Sequence, residues 1–212
     1  TQTESIAYQN SEAILISAIT IPDVLSHING SAELRKKVSQ VREQLLELVT
    51  STKFIQTQDS VQQQSVACDK LTNNPTQLSP KARLSATELA KSLANKLDYY
   101  YQEASALSVG LCVSNIIVSM HESKLVNNSL LESHKEIISA VSESMLYNVR
   151  DGAGERTVVT DAFSALVIRD NDTRLYNSLI SLPFPYSTNA IITRIPSAFI
   201  SADNRTKAVE SG

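Results

Sequence analysis

The sequence predicts an α+β fold in which a block of helices comes first and a short run of antiparallel strands follows. Up to about residue 150 the apolar residues recur at intervals of three and four, which is typical of amphipathic helices. Beyond that point they recur at an interval of two, as in strands. Segregated helices and strands indicate α+β rather than alternating βαβ units. We therefore divide the chain into a helical part, residues 1–150, and a β part, residues 151–212.

Size and charge narrow the class of protein. The chain has 212 residues, is 42% hydrophobic and carries 19 Lys and Arg against 22 Asp and Glu, for a net charge of -3. A chain of this length buries a core without needing a metal or many disulfides. Nucleic-acid binding requires a stripe of Lys and Arg, and the longest basic group is the short run 35–37. We expect no cofactor and no nucleic-acid partner.

The first three helices differ in how clearly they are predicted. Residues 14–25 fit a strand almost as well as a helix that ends near Pro22, and we favour the helix. The next two segments carry apolar or small residues at helical spacing, which predicts their buried faces. These faces are Leu34, Val38, Val41, Leu45 and Leu48 in the second helix and Val61, Ser65, Cys68 and Leu71 in the third.

The last three helices follow from a cap and two long apolar runs. Ser79 is the predicted N-cap of a helix with Pro80 at its first position; this helix is expected to extend to about residue 106. The uncharged run 104–120 has many Ser and Gly residues, so it predicts a central buried helix and not a membrane span. Residues 130–146 supply the final helix. The positions that line the buried side of the first of these helices are Leu84, Thr87, Leu89, Leu93 and Leu97. The apolar positions of the other two are Leu107, Leu111, Val113, Ile116, Ile117 and Met120, and Leu130, Leu131, Ile137, Ile138, Val141, Met145 and Leu146.

Three strands are predicted in the β part, over residues 157–169, 174–182 and 190–195. The first places Phe163, Ala165 and Val167 on one face, with Leu166 and Ile168 on the other. Three strands that are apolar on both faces cannot close a sandwich. We therefore expect a β part that begins a larger sandwich, in a chain that is the front portion of a larger domain.

Residues suited to catalysis or metal binding are few. His27, His121 and His134 are the histidines of the chain, and none has the spacing of a metal site, so we interpret them as surface residues of helices. The Gly-x-Gly at 152–154 follows a helix, which favours a helix stop over a phosphate loop. Residues 170–172 lack the rest of a calcium loop and are interpreted as a turn. We expect no enzymatic activity.

Cys68 and Cys112 both fall at positions that face inward on successive apolar segments. A bridge between them would close a loop of about 45 residues, stabilising the fold by roughly 4 kcal/mol in the chain-entropy model. Two buried free thiols fit the same positions. The number of cysteines does not decide between these alternatives.

Four acceptor sequences for N-glycosylation are present, at Asn29, Asn127, Asn171 and Asn204. All four lie in predicted turns between elements, where a glycan has room. Asparagine also favours turns for conformational reasons, and the number of sequons is close to that expected by chance. Their positions therefore favour glycosylation more than their number does.

The order of these elements resembles a known family. A helix over 33–52, the Gln-rich helix 62–72 ending in Leu-Thr, and the Asn-Pro-Thr-Gln-Leu-Ser of 74–79 leading into 86–93 are similar to the helical subdomain of GAIN domains in polycystin-1-like proteins, at the end of the receptor-for-egg-jelly region. Residues 163–168 and the Ile-Pro at 195–196 resemble the first strands of the GAIN β-subdomain. The resemblance covers roughly residues 30–200.

The resemblance implies an extracellular module at the plasma or ciliary membrane, in a receptor or ion channel subunit that transmits ligand or mechanical input. It implies several partners: the remaining strands and the membrane region of the parent chain, a polycystin-2-like channel subunit, and an extracellular protein or carbohydrate ligand. An oxidising compartment would favour the bridge between Cys68 and Cys112. The family's cleavage motif, His-Leu-Ser/Thr, does not occur after residue 150, so no catalytic residue carries over.

Two other interpretations remain open. The chain could be the GAIN domain of an adhesion receptor, which would have the same fold. It could also be an intracellular helical adaptor or filament component, in which the Gln/Ser/Leu-rich helices would be partner surfaces. Glycan mass and the oxidation state of Cys68 and Cys112 distinguish the secreted classes from the intracellular one.

Overall fold

The computed structural model describes residues 2–26, 31–124, 128–148, 156–167 and 209–211. Helices precede strands, which confirms the α+β prediction, and the described strands form a small antiparallel sheet. The helices are α1 (Gln2–Ser26), α2 (Ala32–Ser51), α3 (Gln58–Thr72), α4 (Pro80–Leu97), α5 (Glu103–Glu122) and α6 (Asn128–Asn148), with a short 3-10 turn at Pro75–Gln77. The strands are β1 (Arg156–Val159), β2 (Ser164–Val167) and β3 (Val209–Ser211).

Hydroxyl side chains define where three helices begin. The Oγ atoms of Ser31 and Ser79 and the Oγ1 atom of Thr57 each accept a hydrogen bond from a backbone N–H three residues further on. These bonds satisfy N–H groups that have no partner within the helix. The predicted start of α4, with Ser79 as N-cap and Pro80 in the first turn, is confirmed.

Two predicted helix ends were wrong. α1 continues past Pro22 to Ser26, and the Pro22 carbonyl accepts a hydrogen bond from the Arg42 guanidinium at 3.3 Å. α4 ends at Leu97 and not near residue 106, and α5 begins at Glu103. The break contains the three consecutive tyrosines 99–101, which are weaker helix formers than the Leu, Lys and Ala residues of α4.

The core is built around α5, which contacts α3, α4 and α6 as predicted. It is also the one helix in the described part of the chain that is long and apolar enough to cross a membrane, and 56% of its most apolar window is buried inside the protein. The core helix of a globular protein has the same character. Its buried residues are Ser105, Ala106, Val109, Gly110, Cys112, Val113, Ser114, Ile116, Ser119 and Met120.

The predicted buried faces were right for α3 and partly wrong elsewhere. All four predicted positions of α3 are buried. In α2 the buried residues are Val38, Arg42, Leu46 and Val49, while Leu34 and Leu48 are exposed. The face was misplaced because a charged residue, Arg42, lies at its centre. Leu84 and Leu107 are also exposed, contrary to the prediction.

Residues 157–167, the described part of the segment predicted as one strand over 157–169, lie in a hairpin of β1 and β2. Thr160 begins the turn: its backbone N–H and its hydroxyl both donate to the Phe163 carbonyl, at 3.0 and 2.7 Å. β2 lies between β1 and β3, with Val158 opposite Ala165 and Leu166 opposite Val209. The predicted runs 174–182 and 190–195 lie outside the described residues.

The hairpin shares one hydrophobic core with the helices. Phe163, Ala165 and Val167 belong to that core, which confirms the face predicted for them, and Val158 joins them from β1. Successive strand residues point to opposite faces, so Leu166 points away from the helices.

Candidate functional site

The two cysteines lie on the two helices at the centre of the molecule. Cys68 of α3 and Cys112 of α5 are fully buried and bridged in the structure, with their Cα atoms 5.8 Å apart. This separation lies within the range found for disulfides. The bridge joins α5 covalently to α3 through two cysteines that are 44 residues apart in the sequence.

Another side of α5 supports the hairpin. Gly110 faces the hairpin: a Cβ atom placed on it would lie 3.4 Å from Val158 Cγ1 and 3.6 Å from the Phe163 ring, which is ordinary van der Waals contact. One turn further on, Ser114 Oγ accepts a hydrogen bond from the Ala162 backbone N–H at 3.1 Å. We call this surface the hairpin seat; Val113 of α5 and Ile137, Ile138 and Val141 of α6 complete it.

A buried guanidinium holds three segments together. Arg42 of α2 has no exposed surface; its Nε donates to Gln77 Oε1 at 2.8 Å, and Nη1 donates to the carbonyls of Lys70 and Leu71 at 3.1 and 3.0 Å. Nη1 also reaches Asn73 Oδ1, and Nη2 donates to Pro22. Burial lowers the pKa of Arg42 to about 10, an effect opposed by the Asp23 carboxylate. The side chain therefore stays charged at neutral pH and caps the carboxyl end of α3.

A second buried arginine has the same role at the end of α5. Arg83 Nη1 donates to the Ser119 carbonyl at 3.3 Å and to Ser123 Oγ at 2.7 Å. Burial lowers the pKa of Arg83 as well. Lys124, two residues after the end of α5, is left-handed, with a φ of 53°. Two arginines thus satisfy carbonyls at the ends of the two helices that the cysteines join.

His134 of α6 is buried against α4 at 1% exposure. Its Nε2 lies 3.1 Å from Thr87 Oγ1, and that hydroxyl donates its own proton to the Arg83 carbonyl at 2.8 Å. The histidine therefore donates through Nε2, leaving Nδ1 as an acceptor without a partner among the described residues. A proton on Nδ1 would be buried and unpaired, and burial lowers the pKa of His134 to about 4.

Asp69 of α3 shows the opposite shift. Burial raises its pKa to about 6; the neighbouring Lys70 ammonium opposes this and the Asp23 carboxylate adds to it. Lys70 is itself paired with Asp23 across to α1, with Nζ and Oδ1 3.0 Å apart. Its positive charge is therefore shared between two carboxylates.

The structure agrees with the sequence predictions for some of the cysteines and histidines and not for others. The structure brings Cys68 and Cys112 together. Of the histidines, His121 is exposed as predicted, His134 is not a surface residue, and His27 lies outside the described residues. His134 was misplaced because its hydrogen bond with Thr87 makes burial of its ring possible. Within the described ranges no three His, Cys, Asp or Glu side chains are grouped as metal ligands.

All four predicted glycosylation sites lie outside the described residues, as do the turns predicted at 152–154 and 170–172. Along the chain, Asn29 falls between α1 and α2, and Asn127 falls between α5 and α6. Asn171 and Asn204 fall between β2 and β3.

The sequence contained a signal for the residues that were missed. Arg42 stands four residues after Val38 and four before Leu46, in the middle of an apolar stripe. His134 likewise stands three residues before Ile137 in α6. A charged or polar residue at the centre of such a stripe is expected to be buried with hydrogen-bond partners, as Arg42 is and as His134 is at Nε2.

No protein-family model, curated protein or solved structure matches this chain.

Proposed function

We propose that this chain is a structural and interaction module, the helical part and first strands of a GAIN-like extracellular domain in a polycystin-1-like membrane receptor or channel subunit. The observation that carries the proposal is the double attachment of α5. Its Cys112 is bridged to Cys68 of α3, its Ser114 accepts a hydrogen bond from the hairpin, and its Gly110 faces the hairpin. A helical cap attached in this way is suited to supporting strands.

The burial of β2 supports the sandwich part of the proposal. Ala165 and Val167 face the helices, while Leu166, on the other face, is only 3% exposed. A strand buried on both faces is typical of a sheet covered on both sides. We infer that the sheet belongs to a two-layered β-subdomain, which would support the tethered strand of the parent protein.

The expected activity is support and transmission, without catalysis. A load applied to the hairpin would reach α5 through the seat, and the bridge would carry it to α3 without relying on packing alone. A covalent link between two helices far apart in sequence resists their separation more than noncovalent contacts do. The module would act at the extracellular face of the plasma or ciliary membrane, with a ligand and a channel subunit as its partners.

The compartment is tested by expressing the same chain through a secretory route and in a reducing cytosol. We expect the secreted chain to carry glycan mass that an endoglycosidase removes, and to show no thiol on denaturation without reductant. Replacing Asn29, Asn127, Asn171 and Asn204 by Gln, one at a time, assigns the mass to each site. A secreted chain without glycan and with two titratable thiols would favour the intracellular adaptor instead.

The family is tested by the parent transcript. We expect a His-Leu-Ser/Thr motif followed by a membrane span in the coding sequence after residue 212. A seven-helix membrane region after that motif would favour the adhesion-receptor alternative. A stop codon or a further helical array would contradict both GAIN interpretations.

A further inference from the structure

We infer that a cleft between α1 and the start of α3 binds an extended basic segment of a partner protein, with one Lys or Arg side chain inside it. The cleft lies beside residues 53–57, which connect α2 to α3, and has a volume of about 240 Å³. We call it the α1–α3 cleft. The lining residues that decide its chemistry are Glu12 and Leu15 of α1, Phe54 and Ile55 of the connection, and Asp59 and Gln63 of α3.

The volume of the α1–α3 cleft suits one long side chain. Pockets that hold whole small-molecule ligands usually measure about 300–1,000 Å³, which is larger than this cleft. At about 30 Å³ per water molecule the cleft has room for about eight waters, and a lysine or arginine side chain is of that size. A partner would therefore fill it with a single side chain and contact the rim with the rest of its segment.

The lining of the α1–α3 cleft combines an apolar wall with two negative charges. Leu15 is 3% exposed and Phe54 packs at the edge of the core, so both contribute apolar surface. Glu12 and Asp59 are exposed, and neither carboxylate has an ion-pair or hydrogen-bond partner in the described part of the chain. Lysine and arginine have an apolar stem and a positively charged end. They are the side chains that match both features of this lining.

The connection beside the cleft offers backbone groups to an extended peptide. Thr52 and Thr57, at its two ends, both have extended backbone angles. The N–H groups of residues 54–56 donate to no other described residue. A peptide that lies along this connection would accept hydrogen bonds from them. In β-strand addition such main-chain bonds give affinity, while a pocket for one side chain gives specificity.

An anion is a poorer match for the same place. The amino end of α3 is already capped, because Thr57 Oγ1 accepts a hydrogen bond from the Ser60 N–H at 3.1 Å. Asp59 adds a negative charge in the first turn of α3, where it interacts favourably with the helix dipole. An added anion would be repelled by Asp59 and by Glu12. The charge of the cleft thus selects a positively charged partner.

The first experiment titrates the full chain with a capped peptide, Val-Thr-Lys-Thr-Val, and follows the backbone amides by two-dimensional NMR. In an extended peptide the two Val side chains lie on the same side as the Lys, where they would contact Ile55, which is 60% exposed at the rim. Control peptides carry norleucine, which keeps the stem without the charge, or Glu in place of Lys.

We expect the Lys peptide to bind with a Kd of about 1 mM or tighter, the norleucine peptide at least about tenfold more weakly, and the Glu peptide not at all. The shifted amides should lie in 11–15 and 53–63. Equal binding of the Lys and norleucine peptides, or no shifts with the Lys peptide at about 10 mM, would overturn the proposal. This comparison needs no variant of the chain, so it does not depend on how a substitution folds.

The second experiment removes the charges of the cleft one at a time. Glu12→Gln and Asp59→Asn are each expected to weaken binding of the Lys peptide at least about threefold, because each keeps the shape of the side chain and removes its charge. Glu88→Gln, at an exposed carboxylate of α4 outside the cleft, is the matched control and should leave the affinity unchanged. Equal weakening by all three variants would mean that the peptide responds to net charge alone, which contradicts binding in the cleft.

The third experiment blocks the cleft without changing its charge. Gln63 is exposed and lines the cleft, so Gln63→Trp should fill it and weaken binding of the Lys peptide at least about tenfold. Circular dichroism and urea unfolding check that the variant is folded. In the natural chain, the bound peptide should slow amide hydrogen exchange within 54–56. Undiminished affinity in the folded Gln63→Trp variant would place the peptide elsewhere, and unchanged exchange within 54–56 would contradict the main-chain pairing.

A cleft of this kind would act in a secreted or an intracellular chain, so these outcomes do not depend on the GAIN-like assignment.

Discussion

Ser114 and Ala162 form a direct polar link between the helices and the sheet: the Ala162 backbone N–H donates to Ser114 Oγ at 3.1 Å. Ala162 lies in the turn of the hairpin, which the hydroxyl of Thr160 closes on Phe163. The turn is thus organised by its own residues and attached to α5 by one hydrogen bond. Its position beside Gly110 means that polar and apolar contacts hold the hairpin at the same place.

Replacing Ser114 by Ala is expected to loosen the hairpin without unfolding the helices. The Ala162 N–H loses its partner in a partly buried position, which costs about 1–2 kcal/mol. Hydrogen exchange measured by mass spectrometry should show faster exchange in the peptide covering 156–167, with little change in α3. Ser139→Ala, which removes an exposed bond to Glu143, is the matched control. Equal exchange in both variants would mean that the bond does not hold the hairpin.

Replacing Arg42 by Ala is expected to lower the free energy of unfolding by about 3 kcal/mol or more, because several buried acceptors lose their donor at once. Arg42→Lys should recover only part of this, since an ammonium group cannot reproduce the guanidinium geometry. Urea unfolding measures both effects. Arg35→Ala, on the exposed side of the same helix, is the control and should change stability by less than about 0.5 kcal/mol. An equal effect at both positions would contradict the role assigned to Arg42.

Arg42 also shows why the fold was only partly predictable. The helix order and the Ser79 cap depend on local chemistry, which the sequence contains in full. The buried face of α2 depends on acceptors supplied by α1, α3 and the 3-10 turn, which local spacing does not reveal. Partners distant in sequence also contribute beside the break after Leu97, where Ser144 donates to Asp98 at 2.7 Å, and they attach the Thr160 turn to α5, where Ser114 accepts from Ala162.

The candidate functional residues were also only partly predictable from the sequence. The inward positions of Cys68 and Cys112 followed from helical periodicity, but their pairing needed the α3–α5 contact to be known. The sequence does not show that Gly110, a small residue of an apolar helix, faces the hairpin. His134 was assigned to the surface because the sequence does not show that Thr87, 47 residues earlier, lies within hydrogen-bonding distance.

The bridge between α3 and α5 is expected to stabilise the chain by about 4 kcal/mol, the value of the chain-entropy model for a loop of this length. The double variant Cys68→Ala and Cys112→Ala should therefore unfold at a markedly lower urea concentration than the oxidised protein. Unfolding the natural chain in the presence of a strong reductant should give a loss of similar size, while the double variant should not respond to reductant. A natural chain that is equally stable with and without reductant would indicate two buried thiols.

His134 is expected to make the fold sensitive to acid. Its folded pKa is about 4, below the ordinary value of 6.5, so the unfolded chain binds more protons between these pH values. Stability contributed by the neutral ring is complete above about pH 6.5 and is lost as the pH falls towards 4, by about 3 kcal/mol in total. His134→Gln should remove this slope from the urea-unfolding profile. His121→Gln, at an exposed position, should leave it, and an unchanged slope in His134→Gln would assign the acid sensitivity to another group.

Asp69 is expected to make the fold more stable in acid, opposite to the effect of His134, over almost the same pH range. Its folded pKa is about 6, above the ordinary 3.8, so between these values the folded chain holds a proton that the unfolded chain has released. Stability from the neutral carboxyl group is present below about pH 4 and is lost as the pH rises through 6, by about 2 kcal/mol after allowance for partial exposure. The natural chain should therefore show a nearly flat stability profile between pH 4 and 6, since the two slopes oppose each other.

Asp69→Asn should reveal the acid sensitivity of His134 in full, and should be more stable than the natural chain at pH 7. If urea unfolding gives parallel profiles for Asp69→Asn and the natural chain, the Asp69 carboxyl group is ionised in the fold and its burial does not control its charge.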